Sequence, residues 1–378
     1  MNPGSVLVLE KTFVRPFSGV VRGVESFNLR LVRDMAAAGW RVCAPADGTW
    51  AGPLGEAARA AASRGGGAGG AVQHVPVRGG GAPALALFRA ALAAVREARR
   101  AGGPFDWLLL ANDANGLAVP ARAVLAAGAA RRLLIFAHKL PYPYFLRVLG
   151  RRADRVVCVS DAVAAGFREA GFADKTFVQY GVADAAAWHP PETPRAGSGP
   201  LRFCVFGSLD SEWKGADTAL AAWRLLPEGF RRENELHLVA YSSPPDFRGE
   251  PGVVAHGWRD PATLPEMLRG MDVLLAPSRD PKRLMETFSQ CVVQGMLTGL
   301  PVVHTPIPVF AEKFDAGGGI AAETPAAFAA AMLRLAGDPA LRARLGAEAR
   351  RTALARYVWD YPRFDAEHLR PRPAGPTA

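Results

Sequence analysis

Four stretches of this 378-residue chain place glycines or polar side chains directly after a short apolar run. Each suggests a chemistry. In the first, Phe17 to Glu25, Gly19 and Gly23 precede a helix opening near Val24, whose free N–H groups can receive a phosphate. It contains no G-x-G-x-x-G, so a dinucleotide site is weakly supported. In the second, His138 follows the run Leu133 to Phe136 and precedes Pro141. An imidazole there can hydrogen-bond a hydroxyl or satisfy its own turn. In the third, Phe206 to Gly215, a run ends in Gly207 and Ser208, and Lys214 stands just before a helix. Such a lysine can neutralise a diphosphate, although an exposed lysine is ordinarily only solvated. The fourth holds Pro277, Ser278 and then Glu286 to Met296. Glu286 precedes an apolar helix beginning near Ser289, so its carboxylate and the leading amides face one opening. Alone, a helix-entry glutamate is a cap. The four together read as a site.

The elements that must position these residues are those of parallel sheets covered by helices. Short β-branched runs alternate with Ala/Leu/Arg stretches of helical period from end to end, which predicts an α/β protein. In the first half the predicted strands are Val6 to Leu9, Arg41 to Ala44, Val72 to Val77, Trp107 to Ala111, Leu133 to Phe136, Arg155 to Val159 and Thr176 to Gln179. Residues 185–200 hold Pro190, Pro191, Pro194 and Pro200 with two glycines, and read as a linker. Beyond it strands are predicted at Arg202 to Phe206, Glu235 to Ala240, Val253 to Ala255, Val273 to Leu275 and Val302 to His304, with helices at Thr263 to Arg269 and Cys291 to Leu297. Thr324 to Arg356 reads as helical apart from a break at Gly337 to Pro339, with Thr324 as N-cap and Pro325 at the first helical position. Two domains are expected, 1–184 and 201–356, with the aromatic segment 357–369 returning to the first. Ser63 to Gly70, nearly all glycine and alanine, reads as a mobile loop, and residues 370–378 as a disordered tail. In open parallel sheets ligands bind beyond the carboxyl ends of the strands, which is where all four stretches fall.

Composition narrows the class. Hydrophobic residues make up 49% and charged residues 21%, so the chain can bury a real core. Its apolar runs are far shorter than the ~20 residues that span a bilayer, and the N-terminus lacks a basic leader, so a cytoplasmic protein is expected. Cys43, Cys158, Cys204 and Cys291 are scattered without metal-ligand spacing and read as buried free thiols; no metal site and no bound cofactor are expected. The net charge of +10 would suit phosphates or the anionic inner face of a membrane, and equally reflects the Arg- and Ala-rich composition of a GC-rich, bacterial genome. No aromatic-basic module accompanies it, so nucleic acid is not expected as a partner.

These residues resemble glycosyltransferase family 4, retaining enzymes of the GT-B fold that use nucleotide sugars. The resemblance is carried by Asp272-Val-Leu-Leu-Ala-Pro-Ser278, by Glu286-Thr-Phe-Ser-Gln-Cys-Val-Val-Gln294-Gly-Met and by Gly299-Leu-Pro-Val-Val303. In the family's order stand also Gly23-Val-Glu25, His138, Ala153 to Ser160, Gly181-Val182 and Gly207 to Gly215. It implies two Rossmann-like domains facing across a cleft, the first binding the acceptor and the second the donor. It further implies that Glu286 holds a hydroxyl of the donor sugar and that Lys214, with the amides near Thr287 and Phe288, stabilises the departing diphosphate. His138 would touch the donor sugar or the reaction centre, and Gly19 and Gly23 would let backbone approach the phosphates. Ser208, Ser278 and Gln294 complete the donor site. The chain departs from the family at Ser208, where an arginine is usual, at Gln294 in place of a glutamate, and at Tyr180 in place of an asparagine. Pro281 to Met285 are extra. The acceptor, a glycan, a lipid-linked sugar or a small molecule, would enter by Lys139 to Phe145 and Ser63 to Gly81. The departures leave open a non-catalytic GT-B partner subunit, and less readily a nucleotide-sugar epimerase.

Overall fold

The computed structural model describes residues 4–19, 23–64, 70–78, 82–111, 116–149, 152–180, 183–193, 199–209, 211–240, 249–257, 259, 261–280 and 286–370. The expected loop around 65–69, the tail beyond 370, Gly181-Val182 and the insertion 281–285 lie outside them. The chain divides into two compact units, Met1–Gln179 with Asp360–Ala378, and Tyr180–Trp359.

The first unit is built on seven strands, β1 (Ser5–Leu9), β2 (Arg41–Asp47), β3 (Val72–Val77), β4 (Phe105–Leu110), β5 (Ala130–Ala137), β6 (Arg155–Cys158) and β7 (Thr176–Val178). They form one wholly parallel sheet in the order β3-β2-β1-β4-β5-β6-β7. A parallel sheet needs helices over both faces, and its strands read as unbroken apolar runs because both sides are covered. All five residues of β1 are buried. Helices α1 (Gly23–Ala37) and α2 (Ala51–Arg64) connect strands in one direction across the sheet and pack on each other. Helices α3 (Pro83–Arg100), α4 (Ala118–Ala126) and α5 (Pro143–Leu149) connect them in the opposite direction. Right-handed crossovers place this second set on the other face, with α4 packed between α3 and α5. Helix α6 (Asp161–Phe167) starts at Ser160, whose Oγ accepts from the amide of Val163.

The second unit repeats the plan with β8 (Arg202–Gly207), β9 (Glu235–Ala240), β10 (Val253–His256), β11 (Val273–Ala276), β12 (Val302–His304) and β13 (Gly319–Ala321), parallel in the order β10-β9-β8-β11-β12-β13. Its helices are α7 (Ala216–Arg224), α8 (Glu228–Glu233), α9 (Leu264–Arg269), α10 (Gln290–Thr298), α11 (Pro308–Lys313), α12 (Pro325–Gly337) and α13 (Pro339–Arg356). Phe203, Trp223, Leu238, Val273, Phe328 and Met332 anchor its core. Thr324 caps α12 by accepting from the amide of Ala327, with Pro325 behind it, and Asp338 caps α13 in the same way after the break. Helix α14 (Tyr361–Phe364) and the turn after it belong to the first unit. There Trp40 donates to Asp365 at 2.7 Å, Trp107 donates to the Leu369 carbonyl at 2.8 Å, and the Phe364 ring packs at a tilt against Phe136. Two buried indole N–H groups are satisfied this way, which fixes the returning segment.

Both units are thus Rossmann-like, and each sheet reverses direction once, between β1 and β4 and between β8 and β11. Among the described residues no helix is long and apolar enough to cross a membrane, and no cluster of His, Cys, Asp and Glu could hold a metal ion.

Candidate active site

At the reversal of the second sheet two glycines let the chain come close. Strand β8 ends in Gly207 at φ 139°, where an added Cβ would stand 3.2 Å from Cys291 Sγ. Gly215, at φ 71°, presses so tightly on the end of β11 that an added Cβ would lie 2.1 Å from the Pro277 carbonyl oxygen. This contact delivers Lys214, the residue before Gly215, to the strand end carrying Pro277 and Ser278.

There Lys214 Nζ donates to Glu286 Oε2 in a close ion pair, and Ser278 Oγ lies 3.5 Å from the same carboxylate oxygen. The lysine and glutamate side chains are only 12% and 7% exposed. Burial pulls the Lys214 pKa down, but the Glu286 carboxylate outweighs it, aided by Cys291, and the net direction is upward. Lys214 is therefore a cation throughout the neutral range. The Trp213 ring lies 4.5 Å beneath its ammonium.

Past Glu286 the chain runs through half-buried Thr287 and buried Phe288 into α10. Ser289, at φ 59°, is the only non-glycine residue with positive φ among those described, a conformation that costs on the order of 1–3 kcal/mol. Its side chain makes no capping bond, so α10 opens without the hydroxyl that would usually cover its leading amides. Gln294, buried within α10, keeps its Oε1 without a hydrogen-bond partner among the described residues. A buried carbonyl left so costs about 1–3 kcal/mol, and it is a standing acceptor for a hydroxyl. Lys214, Ser278, Ser289 and Cys291 line one crevice. Ser208 sits half-buried on the turn after β8.

Three of the four thiols, Cys43, Cys158 and Cys204, are buried as expected, and burial pushes Cys43 and Cys158 up to about 12. Cys291 departs from the expectation. It is half-buried and lines the crevice, because it occupies the first turn of α10 facing Gly207.

Lys313 has no counterpart in the sequence reading. The last residue of α11, it is fully buried, with Nζ 4.4 Å over the Phe288 ring and 5.0 Å over that of Tyr357. Among the described residues its only hydrogen bond is a long one, 3.5 Å, to the Val309 carbonyl. Burial lowers its pKa to about 8, against the pull of Glu312 and Glu286. A lysine beside a glutamate late in a short helix reads as solvated surface, and no local pattern distinguishes this one.

The first unit holds the remaining predicted residues. Gly19 is exposed with φ 79°, and Gly23 opens α1, one residue before the predicted start. His138 follows β5 and is buried, with its ring 5.3 Å from Phe27 and 5.2 Å from Phe136. Its Nε2 has no hydrogen-bond partner among the described residues. Burial, with Lys139 nearby, lowers its pKa to about 4, so the imidazole is uncharged at neutral pH. Two more polar groups of this unit escaped sequence reading. Asn28 on α1 is fully buried with both amide atoms unpartnered among the described residues, and Glu10, just past β1, is buried while accepting from the Thr12 amide and hydroxyl at 2.9 and 3.0 Å.

The structure thus joins Lys214, Ser278 and Glu286 directly, with Ser208, Thr287, Phe288 and Gln294 on the adjoining turns and helix; Gly19, Gly23 and His138 belong to the other unit. Residues 200–338 match the family model described as glycosyl transferases group 1. The second unit carries a glycosyltransferase domain. Among curated proteins none matches the chain. Solved structures resemble it over nearly their whole length. Anabaena HepE, in complex with UDP and glucose, is 18% identical with a TM-score of 0.68, covering 94% of this chain and 95% of its own. Sucrose-phosphate synthase of Thermosynechococcus elongatus is 17% identical at TM-score 0.68, over 97% of both chains. WaaG, a glycosyltransferase of lipopolysaccharide biosynthesis, is 16% identical at TM-score 0.67, covering 97% and 99%. At these identities the likeness establishes the architecture, which is GT-B.

Proposed function

We propose that the protein is a retaining, family 4 glycosyltransferase that moves a sugar from a nucleoside-diphosphate donor to a hydroxyl acceptor. The observation that carries this reading is the buried Lys214–Glu286 pair at the reversal of the second sheet, inside the segment that matches the glycosyltransferase model. Open α/β sheets bind ligands at this point.

Lys214 is neutralised by Glu286. A donor diphosphate competes for that ammonium. Once it takes Lys214, Glu286 is released to accept from a hydroxyl of the donor sugar, so one event positions both ends of the donor. As the glycosidic bond breaks, negative charge builds on the leaving diphosphate, and Lys214 and the amides near Thr287 and Phe288 meet it. This protein charge serves where a metal would otherwise stand. Ser208 and Ser278 supply hydroxyls beside it, and the unused Gln294 carbonyl accepts from a ribose hydroxyl. His138, uncharged, hydrogen-bonds the sugar without adding charge, and Gly19 and Gly23 leave backbone open to the phosphates. The acceptor hydroxyl attacks on the face from which the diphosphate leaves, so configuration is kept. The UDP and UDP-glucose complexes of Anabaena HepE favour a uridine nucleotide as the first donor to try.

The test is turnover with a panel of UDP-, GDP-, ADP- and dTDP-sugars, reading nucleoside diphosphate release and, by NMR, the anomeric configuration of the product. Release from one donor, abolished by Glu286→Ala and by Lys214→Ala, with configuration retained, is expected. Inversion would refute the retaining assignment. Nucleotide binding without any release would favour the partner-subunit reading raised by Ser208 and Gln294, and a donor that changes configuration without acceptor would favour the epimerase.

A further inference from the structure

The layer α3–α4–α5 of the first unit has an outer surface that neither its own sheet nor the proposed chemistry explains. The inner side of α3 is buried through Ala86, Leu87, Ala90, Ala91, Ala94 and Ala98. Its outer side runs Leu85, Phe88, Leu92, at helical spacing and 48%, 43% and 54% exposed, and continues through exposed Arg96 and Arg99. Large apolar side chains do not usually line up in solvent on one stripe. Tyr142 and Tyr144, at the start of α5, are likewise 52% and 47% exposed.

The charge on this layer has one sign. Helices α3, α4 and α5 carry Arg89, Arg96, Arg99, Arg100, Arg122 and Arg147 against a single acid, Glu97. Glu97 lies off the outer stripe and is occupied by Gln73 at 2.8 Å and by Arg100. Between α4 and α5 opens a pocket of about 300 Å³ lined by Arg122, Arg147 and Arg152 with Leu125, Ala126 and Leu149. Arg122 donates to the Val148 carbonyl at 3.2 Å, and among the described residues no carboxylate pairs with any of the three. A second copy of so basic a face would be repelled, and a nucleic acid would leave the leucine stripe unused.

We infer that the α3–α4–α5 face docks the protein on an anionic phospholipid surface, with Leu85, Phe88 and Leu92 entering the headgroup layer and the Arg122–Arg147–Arg152 pocket receiving a lipid phosphate. Apolar area on one stripe with arginine beside it is the pattern of helices that lie in a membrane interface. The face is independent of the donor chemistry proposed above.

The experiment is flotation of the full chain with vesicles of pure phosphatidylcholine and with equimolar phosphatidylcholine and phosphatidylglycerol. Binding to the anionic vesicles only, reversed by high salt, is expected. Each arginine near the surface is worth roughly fivefold, so Arg122→Gln/Arg147→Gln/Arg152→Gln should weaken binding about a hundredfold. The triple variant Leu85→Ser/Phe88→Ser/Leu92→Ser should also release the protein, and circular dichroism should show both variants folded, since every replaced side chain is exposed. Equal binding to both vesicles, no binding to either, or indifference to both variants would overturn the inference. So would a vesicle-free dimer, seen by light scattering, that the leucine variant abolishes. Nucleotide release with soluble donor is measured alongside without vesicles; its loss would bear on the catalytic reading alone.

Discussion

Replacing Lys214 by methionine strands a carboxylate inside the second unit. Glu286 is 6% exposed, and its other neighbour, Ser278 Oγ, stands at 3.5 Å, too far to replace an ammonium. Removing one partner of a buried pair costs about 3–5 kcal/mol. Glu286→Gln leaves the lysine over the Trp213 ring with an amide to donate to, and should cost less, about 2 kcal/mol. The double variant buries no charge, so its cost falls well below the sum, giving a coupling of about 3 kcal/mol. Urea denaturation of the four proteins at neutral pH measures it, with the exposed pair Arg232–Glu228 as a control in which less than about 0.5 kcal/mol is expected. A coupling for Lys214–Glu286 no larger than the control would refute the reasoning, because the pair would then be solvated.

Three further outcomes follow from the same geometry. His138 has a folded pKa of about 4 against 6.5 unfolded, so between these values the unfolded chain binds more protons; stability is lost as pH falls through that window, by at most about 3 kcal/mol, and His138→Phe should flatten the slope in a pH series of melts. Lys313 carries its charge at pH 7 in both states but pays for burying it, so Lys313→Met should stabilise by about 1–3 kcal/mol at pH 7; wild-type stability then rises from pH 8 to 10.5, where the unfolded chain holds the extra proton, and the gap should close, as thermal melts would show. Gly215→Ala combines a left-handed backbone with a Cβ 2.1 Å from the Pro277 carbonyl, and should cost about 2–4 kcal/mol by denaturation while abolishing nucleotide binding.

The strands were legible because a sheet covered on both faces writes each one as an apolar run. Where a run is interrupted, so was the reading. β4 begins two residues earlier than the run suggests, at Phe105-Asp106, because Asp106 is held by the Ser5 amide and hydroxyl, and β5 begins at Ala130 because Arg132 lies over the Trp107 ring. No strand is predicted beyond His304, yet Gly319–Ala321, which follows two glycines of positive φ, pairs with β12 at the sheet edge as β13. Within the site, Lys214 and Glu286 each stood out by following a strand, but a contact 72 residues apart is not a local property. The same limit hid Lys313 and Asn28. Their burial is imposed by Phe288 and Tyr357 in one case and by the packing of α1 in the other, and nothing adjacent to them in the chain records it.

The central claim is that the crevice holding Lys214 and Glu286 binds the diphosphate of a nucleotide sugar, and calorimetric titration with UDP, GDP, ADP and dTDP tests it most directly. The account predicts that one nucleotide binds the wild type, that Lys214→Met weakens it about 10–100-fold, the worth of one charge-assisted hydrogen bond, and that Glu286→Gln binds it at least as tightly because Lys214 no longer has a competitor. Binding by none of the four, or equal binding by wild type and Lys214→Met, would contradict it.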